Sequence, residues 1–131
     1  MADLIKKILL TMVVFLGIDF VWLGLVAKKF YDKELSAFQR TLNLPVALLD
    51  YVLIVVGIVL FVLPKASGNQ LHAFLWGALF GLIGYGVYDL TNLATLRDWT
   101  LRMTVVDMLW GATVCGLVSL IVTVILKGVG N

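Results

Sequence analysis

Four long apolar runs dominate this sequence of 131 residues and leave few folds open to it. They cover approximately residues 8–27, 44–63, 71–93 and 103–126. Each run is close to the roughly 20 residues that a helix needs to cross about 30 Å of hydrocarbon. Barrel strands would show alternating segments of about ten residues, and the sequence has none. The runs predict an all-α integral membrane protein, a four-helix transmembrane bundle forming a single domain over residues 1–131.

Composition supports this class and narrows the possible partners. Hydrophobic residues make up 62% of the chain, whereas globular domains are nearer half apolar. This apolar content makes the lipid bilayer an expected partner. The net charge of +2 comes without a basic run, so nucleic acid is not an expected partner. Cys115 is the only cysteine and His72 the only histidine, which excludes an intrachain disulfide and histidine-rich metal sites. We expect no cofactor.

The ends of the runs carry local signals for where the helices start and stop. The first run contains Asp19 and lacks a cleavage site, so it is typical of a retained helix rather than a signal peptide. Pro45 suits the first turn of the second helix, and Pro64 is expected to end it. The charged loop over residues 28–43 has apolar residues near helical spacing. We therefore expect a short amphipathic helix there, on the membrane surface.

Four spans place both termini on one side of the membrane. Positively charged residues number four on the terminal side and six on the side of the first and third loops: Lys6, Lys7, Lys65 and Lys127 against Lys28, Lys29, Lys33, Arg40, Arg97 and Arg102. The positive-inside rule favours the loop side as cytoplasmic. Because the difference is small, insertion in both orientations stays open.

Every predicted helix carries one aspartate: Asp19, Asp50, Asp89 and Asp107. At about 1.5 Å per residue, all four lie roughly 7–13 Å from the face of the first and third loops. They are therefore predicted to form one polar layer. The spans hold no lysine or arginine, and a charge inside lipid costs at least about 2.5–3.5 kcal/mol. Protons, a metal ion, a cationic or hydroxyl-rich ligand, water, or arginines from the third loop are the candidates that neutralise the layer.

Two tryptophans follow two of these acids at a spacing of three. Asp19 precedes Trp22, and Asp107 precedes Trp110. Residues three apart share a helix face, so each indole is expected beside its own acid, where it can donate to a carboxylate or hold a cation. The alternative is an interfacial aromatic belt.

The third and fourth helices each carry a stripe. The third has glycines followed by polar residues, Gly77, Gly81, Gly84, Tyr85, Tyr88, Asp89 and Asn92. The fourth has small residues, Ala112, Cys115, Gly116, Ser119 and Thr123. Stripes of small residues let membrane helices approach closely. The glycines predict close packing within the bundle or across a homodimer, and the stripe on the fourth helix suggests an oligomer face.

Several motifs together resemble a known family. They are the run Tyr-Asp-Leu-Thr-Asn-Leu-Ala-Thr-Leu from Tyr88, Trp99, the run Val-Asp-Met-Leu-Trp-Gly from Val106, Asp19-x-x-Trp22-Leu23-Gly24, and Phe30-Tyr31. This pattern resembles an uncharacterised family of small bacterial inner-membrane proteins, domain of unknown function 2177. The resemblance covers nearly the whole chain and implies a multi-pass protein of the bacterial inner (cytoplasmic) membrane. It implies no activity.

Three functions remain open from the residues. The leading hypothesis is proton- or cation-linked binding or transport of a small cationic or polar ligand or ion. Its site would hold the four aspartates, Trp22, Trp110, Tyr85, Tyr88 and Asn92. The first alternative is a membrane-embedded enzyme acting on a lipid or isoprenoid. The second is a structural subunit whose acids form a packing network.

Overall fold

The computed structural model describes residues 1–130 and contains only helices and turns over that range. Its helices are α1 (Ala2–Val21), α2 (Lys28–Glu34), α3 (Leu44–Gly57), α4 (Leu63–Ala66), α5 (Gln70–Thr95) and α6 (Leu101–Gly130). π-helical turns at Trp22–Val26 and Ile58–Val62 extend α1 and join α3 to α4. Four spans result, Ala2–Val26, Leu44–Ala66, Gln70–Thr95 and Leu101–Gly130. The predicted all-α membrane bundle is confirmed.

The second span continues past the proline that was expected to end it. Pro64 lies in the first turn of α4, directly after the π-helical turn Ile58–Val62. Proline lacks an N–H and its ring crowds the carbonyl four residues earlier, and a wider turn relieves both problems. The span ends instead at Ser67 and Gly68, whose φ angles of 51° and 77° turn the chain toward α5.

Side chains cap the starts of three of the four spans. Asn43 Oδ1 accepts from Val46 N at 3.3 Å, and Asn69 Oδ1 accepts from His72 N at 2.9 Å. Thr100 Oγ1 accepts from Met103 N at 3.0 Å. These contacts satisfy N–H groups that have no partner inside the helix. They fix the starts of α3, α5 and α6.

The glycine stripe of α5 packs against the small-residue stripe of α6 within one chain. A Cβ at Gly77 would lie 2.5 Å from the Cys115 carbonyl oxygen, and one at Gly81 would overlap the Gly111 carbonyl. Cys115 and Ser119 are fully buried in this contact. The predicted oligomer face on α6 is therefore wrong, because α5 already covers it.

The apolar core fills the half of the bundle nearer the termini. Phe15 of α1 packs with Val55 and Ile58 of the second span and with Val118 and Val122 of α6, and all five are fully buried. The second span reaches α5 through its second half, the segment 58–66. Its first half instead borders an open space on the loop side.

The short helix α2 lies under the loop-side end of the bundle. Its Tyr31 is buried in a cluster with Ala27, Trp99 and Met103. Glu34 is held by the Thr100 hydroxyl, which donates to it, and by Arg102 Nη1 at 3.6 Å. A helix is present in the first loop as predicted, but it contacts the ends of α5 and α6 rather than only the membrane surface.

Candidate functional site

A cavity of about 650 Å³ lies in the loop-side half, between α3 and α5. Phe80 of α5 also lines the cavity, and its ring lies against Gly57 of α3. α1 and α6 close the back of the cavity, and exposed apolar residues such as Val46 and Leu53 stand at its edge.

Three of the four predicted acids line this cavity, each from a different span. Asp19 comes from α1, Asp50 from α3 and Asp107 from α6. Phenol and indole groups of Tyr51, Tyr85, Tyr88 and Trp110 line it as well, whereas no lysine or arginine does. The arrangement is an apolar cavity with clustered acceptors of hydrogen bonds and cations.

Asp19 has a donor for each carboxylate oxygen. Tyr51 Oη donates to Oδ2 at 2.6 Å, and Trp110 Nε1 donates to Oδ1 at 2.9 Å. The residue is only 4% exposed. Two donors compensate for part of the cost of placing this group in an apolar interior.

A chain of donors from the end of the first span and from α2 reaches Asp107. Trp22 Nε1 donates to Tyr31 Oη at 3.1 Å, and Tyr31 Oη donates to Asp107 Oδ1 at 2.8 Å. Burial raises the pKa of the Tyr31 phenol, so it stays protonated and able to donate. Trp22 also stacks on Trp110, with ring centroids 4.4 Å apart and planes 7° from parallel. The stack joins the Asp19 and Asp107 networks.

The expected pairing of each indole with the acid on its own helix is wrong. Trp110 of α6 donates to Asp19 of α1, and Trp22 reaches Asp107 only through Tyr31. The reason is that α1 and α6 face one another, so an indole reaches across the interface more easily than along its own helix. A π-helical turn also begins at Trp22, so residues from there on do not keep the α-helical spacing on which the expectation rests.

Sequence reasoning missed two site residues, Tyr31 and Tyr51. Tyr51 directly follows Asp50, and Tyr31 lies in the loop for which the sequence predicts a surface helix. A buried phenol requires a polar partner, so aromatic hydroxyls near a layer of acids were the available signal. Which acid each would reach depends on helix rotation, which the sequence pattern does not specify.

Asp89 differs from the other acids. It is completely buried, and neither carboxyl oxygen has a hydrogen-bond partner within residues 1–130. The group that faces it is the carboxyl of Asp107. Asp50, by contrast, is exposed on the cavity wall.

The remaining predicted residues lie on the α5 side of the site. Tyr85 is half-buried against Gly111, while Tyr88 is 56% exposed and meets the edge of Trp99 with centroids 5.8 Å apart. Asn92 is half-buried one turn beyond Tyr88 and does not line the cavity.

Arginines do not neutralise the acids in the structure. Arg102 pairs with Glu34, and within the described chain Arg97 has no ion pair. Residues 1–130 also contain no group of three or more His, Cys, Asp or Glu side chains placed to hold a metal ion. Of the neutralising groups considered from the sequence, the arginines are therefore the ones that the described residues do not place beside the acids.

Comparison with known proteins identifies a family but no activity. The family model described as "Predicted membrane protein (DUF2177)" matches residues 4–124. No curated protein and no solved structure gives a significant match to the chain.

Proposed function

Because this chain belongs to the DUF2177 family of predicted membrane proteins, we propose a function from its site: it binds an amphipathic organic cation in the cavity between α3 and α5, as one step of proton-linked transport. The proposed location is the bacterial inner membrane, as the motifs imply. No second chain is needed to complete the site, so the proposal does not depend on a homodimer.

The observation that carries this proposal is the charge pattern of the cavity. Asp19, Asp50 and Asp107 line it, and no positive side chain does. Charged groups inside a membrane are costly and are functional by default. A cation in the cavity would lie close to several carboxyls at once, and the low dielectric of the surroundings strengthens the attraction.

The shape of the cavity defines the rest of the ligand. Its volume of about 650 Å³ falls within the 300–1,000 Å³ range typical of small-molecule sites. The opening is flanked by exposed apolar side chains, including Val46 and Leu53. A ligand entering this way comes from the hydrocarbon region, so it needs an apolar body. Tyr85, Tyr88 and Trp110 add aromatic faces that suit an organic cation.

A binding titration in lipid nanodiscs tests the proposal. The probe is methyltriphenylphosphonium, and its binding is followed by the fluorescence of the stacked Trp22 and Trp110 after Trp76 and Trp99 are replaced by phenylalanine. Asp50→Asn should weaken binding by about tenfold or more, equivalent to about 1.4 kcal/mol, because Asp50 faces the cavity directly. This variant removes a charge without removing a hydrogen bond between side chains.

Two controls make the result decisive. Asp3→Asn removes an exposed acid that pairs with Lys7 at 3.2 Å on the terminal side, and it should leave the affinity unchanged. The neutral analogue triphenylphosphine oxide should bind weakly to every variant. The proposal would be contradicted if the wild type and Asp50→Asn bound the cation with equal affinity. It would also be contradicted if the wild type bound the neutral analogue as tightly as the cation.

A second candidate function rests on the same opening toward hydrocarbon. A membrane enzyme acting on a lipid or isoprenoid would also need lateral access to buried carboxyls. It predicts a chemically altered lipid when the purified protein is incubated with lipid extracts, detected by mass spectrometry. Cation binding without any lipid conversion favours transport over this reading.

A further inference from the structure

The unpaired carboxyl of Asp89 is the feature that the proposed cation site leaves unexplained. The side chain is 0% exposed, and neither of its oxygens has a partner within residues 1–130. It does not line the cavity. A buried polar group left without a partner costs about 1–3 kcal/mol, and more when it is charged. Such a group requires an explanation.

The neighbour of Asp89 suggests what is missing. Its carboxyl faces that of Asp107, and ionised carboxylates only accept hydrogen bonds. Two ionised carboxylates in contact inside an apolar interior would repel each other strongly. A single proton between them supplies the missing donor and removes one of the two charges.

The groups around this pair offer no other positive charge. Tyr31 approaches from α2, and the cavity lining around Asp107 adds Asp19 of α1, Asp50 of α3, and Tyr85 and Tyr88 of α5. All of these groups are acids or phenols. Arg102, the arginine in the first turn of α6, is held by Glu34.

We infer that Asp89 and Asp107 form the proton site of this protein, holding one proton between them and releasing it to water when a cation occupies the cavity. Asp107 belongs to both places, since it faces Asp89 and also lines the cavity. In the step, one carboxyl O–H bond breaks, the proton leaves as hydronium, and the single positive charge of the cation, beside Asp107 in the cavity, replaces that of the proton. This inference rests on the proposed cation binding.

The linkage fixes the sign of the pH dependence. If cation binding expels one proton, raising the pH must strengthen cation binding, by up to about tenfold per pH unit while the pair is protonated. Conversely, the bound cation makes the pair easier to deprotonate. A site without proton exchange would show no such slope.

The first experiment measures the proton site without any ligand. Infrared spectra of the protein in nanodiscs should show the C=O stretching band of a protonated carboxyl at neutral pH, shifted by exchange into deuterium oxide. Asp89→Asn should remove that band, and so should Asp107→Asn. Asp3→Asn should keep it. If the wild type lacks the band at neutral pH, or if Asp50→Asn removes it while Asp89→Asn does not, the inference is wrong.

The second experiment measures exchange. In weakly buffered solution with a pH indicator, methyltriphenylphosphonium should release about one proton per bound cation from the wild type. Asp89→Asn should bind the cation and release none, because the amide supplies a permanent donor to Asp107. Proton release that persists in Asp89→Asn would overturn the inference. If the wild type does not bind the cation at all, the proposed function is refuted, and the infrared result still tests the proton site independently.

Discussion

The two halves of the bundle differ in how closely their helices pack and in which side chains lie between them. In the half nearer the termini, glycines and small residues bring α5 and α6 into backbone contact, and Phe15 and Val118 close an apolar core. In the loop-side half, α3 stands away from α5, and acids and aromatic donors surround a cavity. The apolar half holds the helices at fixed positions. The polar half uses those positions to keep costly groups together.

The same helix changes character between the two halves. α5 presents Gly77 and Gly81 to α6, and then Tyr85 and Asp89 further along. At the transition, a Cβ at Gly111 would collide with the Tyr85 ring. Dispersion and close packing are the main forces between helices in lipid, where no hydrophobic effect acts between them. The glycine contact therefore determines how near Asp89 comes to Asp107.

The largest effect is expected from a change at the glycine contact. Gly81→Ala places a methyl group against the Gly111 carbonyl, so it should destabilise the bundle by about 1–3 kcal/mol or more. Unfolding of the detergent-solubilised protein, followed by circular dichroism, measures this.

Gly84→Ala is the matched control, one turn further along α5. A Cβ at Gly84 meets nothing within 4 Å, so this variant should be as stable as the wild type or slightly more stable. Equal losses from the two substitutions would mean that the α5–α6 contact does not hold the bundle together.

The structure of the apolar half could be predicted from the sequence better than that of the polar half. Run length and hydropathy define four spans, because the bilayer imposes one thickness on every helix. Spacing also placed Gly77 and Gly81 on one face. It did not show that α6 would fill this face, since a stripe of small residues suits a neighbour in the same chain and a second copy equally well.

The polar half could be predicted only as a layer. Counting residues gave comparable depths for the aspartates, but depth does not tell which donor each acid receives. In the structure, Trp110 donates a hydrogen bond to Asp19 and Tyr31 donates one to Asp107, and both bonds join different helices. These depend on the rotation of α1 beyond its π-helical turn and on the inward position of α2. Neither has a sequence signal as strong as hydropathy.

A moderate effect is expected when a donor is removed from the polar half. Tyr31→Phe leaves Asp107 without its phenol donor, so the free energy of unfolding should fall by about 1–3 kcal/mol. The same variant should also weaken the Trp22–Trp110 stack, because Trp22 loses the Tyr31 oxygen as its acceptor. Near-ultraviolet circular dichroism of the tryptophans reports on that stack.

Tyr85→Phe provides the comparison on α5. The Tyr85 hydroxyl makes no hydrogen bond within residues 1–130, so its removal should change stability little. If Tyr85→Phe were as damaging as Tyr31→Phe, loss of a hydroxyl anywhere in the polar half would be the cause, and the specific link between α2 and Asp107 would lose its support.

The smallest effect is expected at the outer surface of α2. Lys28 Nζ donates to Asp32 at 2.7 Å and Arg40 Nη2 lies 3.3 Å away, so these cations hold the pKa of the exposed Asp32 carboxyl below its usual value. A lowered pKa stabilises the folded state above the ordinary pKa of about 4 and loses that effect as the pH falls through the folded-state value. Asp32→Asn should therefore lower Tm slightly at neutral pH, and the difference should vanish in acid.

Salt separates this surface contribution from the buried one. At about 1 M salt the Debye length is near 3 Å, so the difference between the wild type and Asp32→Asn should disappear. The loss caused by Tyr31→Phe should persist, because the bond from Tyr31 to Asp107 is buried. A salt-resistant loss in Asp32→Asn would instead mean that surface ion pairs hold α2 against the bundle. If the loss in Asp32→Asn disappears as expected, Tyr31 and its apolar neighbours are what hold α2 against the bundle. α2 then belongs to the polar half of the bundle and does not merely rest on the membrane.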